Sequence, residues 1–175
     1  MIKQATVEDI ANLRVTKRHG LIVVTTRYYP RFLKRKLVDD YEGSLAPTKV
    51  LLTEFKTEEE RAGDHDQAFA NVEYESKFNL SEPGFAKLSE LSELARTQDV
   101  YFVCHCKLGQ RCHRELLLMI ASSLFSAPVG RIFLPYPVFD ERITSLRKAA
   151  PRGRASDDSD DESDGFPEPD PDSRY

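Results

Sequence analysis

At 175 residues with 40% apolar side chains, the chain is long enough for one folded domain with its own core, which excludes a wholly disordered or collagen-like protein. Its net charge of −4 is unevenly spread: residues 151–175 carry nine acids and three arginines, a net of −6, which leaves +2 on residues 1–150. The acidity of the whole chain therefore does not exclude an anionic ligand for the folded part.

Helices are predicted before, between and after a few apolar segments. Thr6, Thr48 and Ser81 have side chains that can cap the first turn of a helix, and an amphipathic segment follows each of them. The first of these helices is predicted over residues 6–13, and the other two begin directly after Thr48 and Ser81. Further helices are predicted over residues 66–78, 112–125 and 141–148.

Three apolar segments rich in β-branched and aromatic residues are typical of buried strands: residues 21–26, 100–103 and 129–134. Because helices separate them, the predicted fold is a single α/β domain over residues 1–150, in which helices flank a mainly parallel sheet. Residues 151–175 are rich in Asp, Ser and Pro and are predicted to be a disordered acidic tail.

Membrane contact and an extracellular setting are both disfavoured by the sequence. No apolar run approaches the roughly 20 residues of a membrane span. The three cysteines are odd in number and close together, unlike an extracellular disulfide framework. We therefore expect a cytoplasmic protein.

The turn between the strand at 100–103 and the helix at 112–125 holds the residues best suited to chemistry. It contains all three cysteines and two of the four histidines, whereas His19 and His65 stand apart and are expected on the surface. In a parallel sheet, ligands bind where the carboxyl ends of strands meet the N-termini of helices. This turn is the predicted functional site.

Anion recognition is the first chemistry that the turn can support. The helix N-terminus favours negative charge, and basic side chains of the turn and of the preceding strand end add donors suited to phosphate. The aromatic side chains of Tyr28 and Tyr29 can stack on a base. The predicted ligand-binding residues are Arg27, Tyr29, Arg31, Lys107, Arg111 and Arg114.

Nucleophilic catalysis is the second chemistry. Cys112 at a helix N-terminus beside His113 is placed for a lowered thiol pKa, and Cys104 at the strand end could serve instead. The predicted catalytic residues are thus Cys112, His113 and Cys104, with His113 as the proton carrier. A cysteine-phosphatase loop, which ends in Arg six positions after its Cys, does not fit, because Gln110 stands there relative to Cys104.

Metal binding is the third chemistry. The three cysteines and His113 are possible zinc ligands, but the usual Cys-x-x-Cys pair is absent. We therefore assign no metal ligand and expect no cofactor, while a metal-binding or thiol redox module remains an alternative.

Several short motifs together resemble the domain-of-unknown-function 488 (DUF488) family. They are a strand ending in Cys104 with Cys112-His113-Arg114 opening a buried helix, the segments at 27–31 and 45–48, and the pair Phe69 and Tyr74. The resemblance spans residues 21–125. It implies a compact α/β domain in which Arg27 and the Cys-His-Arg turn come together, and it implies no particular reaction.

From these observations we predict a protein that binds a phosphate-bearing ligand, such as a nucleotide or a nucleic-acid end, at the Cys-His-Arg turn. Whether chemistry follows binding is left open by the sequence. The alternative is a non-catalytic nucleic-acid-binding protein that uses the basic segment 31–36 on phosphates.

Overall fold

A parallel four-stranded sheet forms the centre of the computed structural model, which describes residues 1–149. The strands are β1 (Ile2–Thr6), β2 (Leu21–Val24), β3 (Asp40–Tyr41) and β4 (Val100–Cys104), in the order β1-β4-β2-β3. All three neighbouring pairs are parallel, so the carboxyl ends of the strands lie along one edge. This confirms the predicted α/β fold. The predicted acidic tail, residues 151–175, lies outside the described residues.

Seven α-helices accompany the sheet. Thr6, Thr48 and Ser81 cap helices as predicted, each accepting a hydrogen bond from a first-turn amide. The helices are α1 (Val7–Ala11), α2 (Lys49–Ala62), α3 (His65–Asn71), α4 (Tyr74–Lys77), α5 (Glu82–Leu94), α6 (His113–Phe125) and α7 (Pro137–Ala149). Within residues 1–149, no helix is long and apolar enough to cross a membrane.

Hydrophobic side chains cover both faces of the sheet. Phe102 and Val23 point to the larger cluster, where α5 and the buried helix α6 pack. Val103 and Val24 point to the opposite face, against Ile10 of α1. Since strands buried on both faces are apolar at nearly every position, β2 and β4 were recognisable in the sequence.

The prediction of a third strand over residues 129–134 is wrong. This segment makes only a bridge from Val129 to Ile2, and β1 takes the place beside β4 instead. The amides of Phe133 and Leu134 donate to the buried carboxylate of Glu115, at 2.8 and 3.4 Å, and not to a neighbouring strand. A side chain of α6 thus satisfies the backbone of the segment.

Three predicted helices differ in extent from those observed. The predicted helix at 66–78 is divided into α3 and α4 because Glu73 adopts a left-handed conformation with φ of 54°. The first helix is shorter than 6–13, since Ile2–Thr6 is already a strand. The last helix begins at Pro137, four residues before the predicted start, because proline is well tolerated in a first turn.

Candidate functional site

Two strand ends and one helix start meet at a cavity of about 490 Å³. Cys104 ends β4, Arg27 follows β2 after two threonines, and Cys112 directly precedes α6. The site is therefore at the carboxyl edge of the sheet, where ligands of parallel α/β folds bind. Among the predicted site residues, the cavity is lined by Arg27, Cys104, Arg111, Cys112 and His113.

Three free cysteines form one cluster at this cavity. The Sγ atoms of Cys104 and Cys106 lie 3.8 Å apart, and all three sulfurs lie within 4.8 Å of one another. Cys104 and Cys112 are buried, whereas Cys106 is partly exposed. The loop thus brings the sulfurs of Cys104 and Cys112, eight positions apart in the sequence, within 4.8 Å of each other.

The imidazole of His113 lies against this cluster, which we call the thiol cluster. Its Nε2 is 2.9 Å from the carbonyl oxygen of Thr25, an acceptor only, so this nitrogen donates a hydrogen. Its Nδ1 faces the sulfurs of Cys104 and Cys112 at 3.8 and 3.7 Å. Burial lowers the pKa of His113, but the negative charge of the two sulfurs outweighs burial and raises it to about 10.

The thiols of the cluster differ in acidity. Hydrogen bonds from Cys106 and Cys112, together with the positive charge of His113, hold the pKa of Cys104 well below its usual range despite burial. The same hydrogen bonding raises the pKa of the Cys106 thiol well above its usual range. Cys104 is therefore the favoured thiolate of the cluster, paired with the imidazolium of His113.

Arg27 is held at the cavity by the segment that follows β3. Its Nε donates to the Pro47 carbonyl at 2.8 Å, and its Nη2 donates to the carbonyls of Ala46 and Pro47 at 3.1 and 2.5 Å. No carboxylate within residues 1–149 forms an ion pair with Arg27. These hydrogen bonds fix the orientation of the Arg27 guanidinium, and its Nη1 takes part in none of them.

Aromatic rings form another part of the cavity lining. Tyr74 stacks on Phe69 with ring centroids 4.3 Å apart, and Phe55 packs edge-on against both. The predicted pair Phe69 and Tyr74 is therefore joined although α3 and α4 are separate helices. Tyr28 also lines the cavity and is exposed.

The N-terminus of α3 fixes the loop that carries the thiol cluster. The amide of Arg111 donates to Asp66 at 2.9 Å, and Nε2 of His65 lies 2.9 Å from the Arg111 carbonyl oxygen. The hydroxyl of Tyr136 accepts from the Cys112 amide at 3.0 Å. No sequence pattern indicated these roles, and His65, expected on the surface, is partly buried and lines the cavity.

Four predicted ligand-binding residues do not line the cavity. Arg114 is fully buried, and its guanidinium donates to the carbonyls of Ala5 and Cys106. Lys107 and Arg31 are exposed, and Tyr29 packs against Tyr41 and the guanidinium of Arg35. Arg111, which does line it, is paired with Glu75 at 3.2 Å.

A comparison with family models is consistent with this site. The model for DUF488-N3a, described as the active DUF488-N3 subclade, matches residues 6–122, which is 117 of the 175 residues. The chain belongs to the DUF488 family. The matched range includes β2, β4, the thiol cluster and most of α6, so it contains every residue that lines the cavity. Neither the curated proteins nor the solved structures that were searched contain a match.

Proposed function

We propose that this DUF488 domain binds a phosphate-bearing ligand, such as a nucleotide or a nucleic-acid end, in the cavity beside the thiol cluster. The observation that carries the proposal is the shared cavity: an arginine, aromatic rings and reactive thiols line one space of about 490 Å³. This volume lies within the range of roughly 300–1,000 Å³ typical of small-molecule sites.

Arg27 is the group that we expect to hold the phosphate. Its charge is not neutralised by an ion pair within the described part of the chain, and backbone carbonyls already fix its orientation. An arginine that is oriented in advance loses little entropy when it binds a phosphate. Lys56 and Arg111 add positive charge to the lining, although each already pairs with a glutamate.

The aromatic rings support a ligand that carries a base as well as a phosphate. Tyr28, whose ring is largely exposed, lines the same cavity as Arg27 and can stack on a base, whereas Phe55, Phe69 and Tyr74 line it as buried rings. Stacking on aromatic side chains contributes about 1–3 kcal/mol per base and does not require a particular base. An inorganic anion alone would leave this surface unused.

The thiols at the cavity are the groups that we expect to react. The thiolate of Cys104, or of Cys112 in its place, attacks the phosphorus of a bound phosphate ester. The S–P bond forms as the P–O bond to the leaving alcohol breaks, and the imidazolium of His113 gives its proton to that leaving oxygen. The three cysteines are free and 4.8 Å or less apart, which supports a reducing, cytoplasmic setting.

Calorimetric titration of the full chain with adenosine 5′-monophosphate, uridine 5′-monophosphate and inorganic phosphate tests the proposal. We expect the nucleotides to bind more tightly than phosphate. The substitution Arg27→Met should weaken nucleotide binding at least tenfold, since a hydrogen bond to a charged group contributes about 1.5–3 kcal/mol. Lys56→Met, at an exposed position that leaves the fold intact, should weaken binding about threefold by removing long-range attraction.

Arg18→Met is the matched control, because Arg18 is an exposed arginine that does not line this cavity. It should leave nucleotide affinity unchanged within a factor of two. The proposal is refuted if neither nucleotide binds, or if Arg18→Met weakens binding as much as Arg27→Met. Alkylation by iodoacetamide gives a second test: bound nucleotide should slow the modification of Cys106, the partly exposed thiol.

A further inference from the structure

We infer that the thiol cluster and His113 form a binding site for one zinc ion. The four donor atoms are Sγ of Cys104, Cys106 and Cys112 and Nδ1 of His113. Cys104 is 3.8 Å from Cys106, and Nδ1 of His113 is 3.8 and 3.7 Å from the sulfurs of Cys104 and Cys112. The three sulfurs lie within 4.8 Å of one another.

These separations are close to the edges of a zinc coordination tetrahedron. With Zn–S distances of about 2.3 Å and Zn–N distances of about 2.0–2.1 Å, tetrahedral angles require S–S edges of about 3.8 Å and S–N edges of about 3.6 Å. The three individual distances therefore fit within about 0.2 Å. Any sulfur pair that approaches the upper limit of 4.8 Å must shorten by about 1 Å. The group of donors that all lie within 4.8 Å of one another does not include His113, so the partly exposed Cys106 must also move toward Nδ1 of His113 when zinc binds.

The environment of His113 is a second and independent observation. Histidines that bind metals usually donate their other ring N–H to a backbone carbonyl or a carboxylate, which fixes the tautomer and the ring orientation. In this chain Nε2 donates to the Thr25 carbonyl at 2.9 Å, so in the neutral ring the lone pair is on Nδ1. That nitrogen lies beside two sulfurs of the thiol cluster, those of Cys104 and Cys112.

A buried positive charge lies beside the proposed zinc site. Three thiolates and one Zn²⁺ carry a net charge of −1, and a neutral imidazole adds none. Arg114, which is fully buried and donates to the Cys106 carbonyl at 2.9 Å, supplies the compensating positive charge. Binding displaces the thiol and imidazolium protons into the solvent, so the affinity for zinc should rise with pH.

The donor set selects the class of metal. Thiolate and imidazole ligands favour zinc and similar soft or borderline ions, whereas Mg²⁺ and Ca²⁺ require oxygen ligands. Among residues 1–149, the one group of three or more candidate ligands consists entirely of cysteines. Zinc is therefore the ion to test, and Co²⁺ is its spectroscopic substitute.

Zinc binding would change what the cavity can do without removing the ligand site. A sulfur bound to zinc is a poorer nucleophile than a free thiolate, so zinc should suppress the thiol chemistry proposed above. Arg27 is not a ligand in this set and should still hold a phosphate. The zinc site does not rest on the proposed function, because its evidence is the arrangement of the four donor atoms and the hydrogen bond from His113 to the Thr25 carbonyl.

The test is a titration of the full-length chain, reduced and stripped by a chelator, first with Co²⁺ and then with Zn²⁺. One equivalent of Co²⁺ should produce intense near-ultraviolet thiolate-to-cobalt absorption and the visible bands of a tetrahedral ion, and one equivalent of Zn²⁺ should remove both. Cys106→Ser and His113→Gln should each lower the Zn²⁺ affinity at least tenfold. His19→Gln, at an exposed position outside the cluster, is the control and should bind as the parent does.

Thermal melting of each stripped variant shows whether it is folded, and Cys106→Ser changes only a partly exposed side chain. No thiolate-to-cobalt absorption at one equivalent would overturn the inference, as would Zn²⁺ affinity unchanged by both Cys106→Ser and His113→Gln. Nucleotide binding is measured on the metal-free protein, and the cobalt spectrum is recorded in the absence of nucleotide. The zinc site and the proposed nucleotide site can therefore be refuted independently of each other.

Discussion

Glu115 provides a test of how α6 holds the segment that leads to α7. Its buried carboxylate accepts from the amide of Phe133 at 2.8 Å, from that of Leu134 at 3.4 Å and from Nε2 of Gln4 at 3.1 Å. Gln4 keeps a second acceptor, the Arg131 carbonyl, so the Phe133 amide loses most when the carboxylate is removed. The substitution Glu115→Ala leaves that amide without an acceptor.

The expected loss is about 2 kcal/mol of unfolding free energy. A hydrogen bond to a charged acceptor contributes about 1.5–3 kcal/mol, and the greater helix propensity of alanine recovers less than about 0.5 kcal/mol. At about 2–4 °C per kcal/mol for a domain of this size, the melting temperature should fall by about 4–8 °C. Urea denaturation gives the free energy, and hydrogen exchange should show that the Phe133 amide loses its protection.

Glu115→Gln is the matched control, because its amide oxygen can still accept from Phe133. It should cost about 1 kcal/mol or less, since the bond becomes neutral and the side-chain NH₂ faces other donors. If Glu115→Ala is as stable as the parent within 0.5 kcal/mol, or if exchange at Phe133 is unchanged, the carboxylate does not hold this segment.

Three further predictions concern residues that do not line the cavity. Gly20→Ala should lower the unfolding free energy, measured in urea, by about 3 kcal/mol, because φ is +154° and an added Cβ would lie 2.3 Å from the backbone oxygen of Asp99. Gly63→Ala should lower it by only about 1 kcal/mol, because an added Cβ would meet open space there. Burial raises the pKa of Asp9, but hydrogen bonds from Thr6, the cap of α1, lower it overall. The stabilisation by the Asp9 carboxylate is therefore present at neutral pH and is lost as the pH falls below about 4. Asp9→Asn should reduce the difference between the urea midpoints at pH 7 and pH 3. Tyr136→Phe removes the acceptor of the Cys112 amide and should reduce stability by about 1–2 kcal/mol and speed hydrogen exchange at that amide.

The sequence predicted the parts of the fold that have a strong local pattern. β2 and β4 are apolar at nearly every position, and Thr6, Thr48 and Ser81 are capping residues at the helix starts where they were expected. β1 was missed because Lys3, Gln4 and Thr6 make it look polar, although Ile2 and Ala5 are buried. Its partner is β4, about 98 positions away, and no local pattern reports such a pairing.

The candidate site was predictable in its location and less so in its construction. Clustering of Cys104, Cys112 and His113 between a strand and a helix identified the cavity, and Arg27 at the neighbouring strand end joins it. The residues that hold the loop, such as Asp66 and Tyr136, come from other elements and act through single hydrogen bonds. Such contacts depend on the completed fold, and nothing in the spacing of the chain indicates them.

Arg114 shows why the third residue of the Cys-His-Arg motif need not face a ligand. Burial disfavours its charge, but the negative charge of the Cys112 and Cys104 sulfurs outweighs burial and raises its pKa. Its guanidinium also joins the carbonyls of Ala5, in β1, and Cys106, in the thiol cluster. The positive charge of Arg114 would also compensate the net charge of −1 of the proposed zinc centre. Arg114 therefore stabilises negative charge on the sulfurs from the protein interior, while Arg27 lines the cavity in which we propose that the ligand binds.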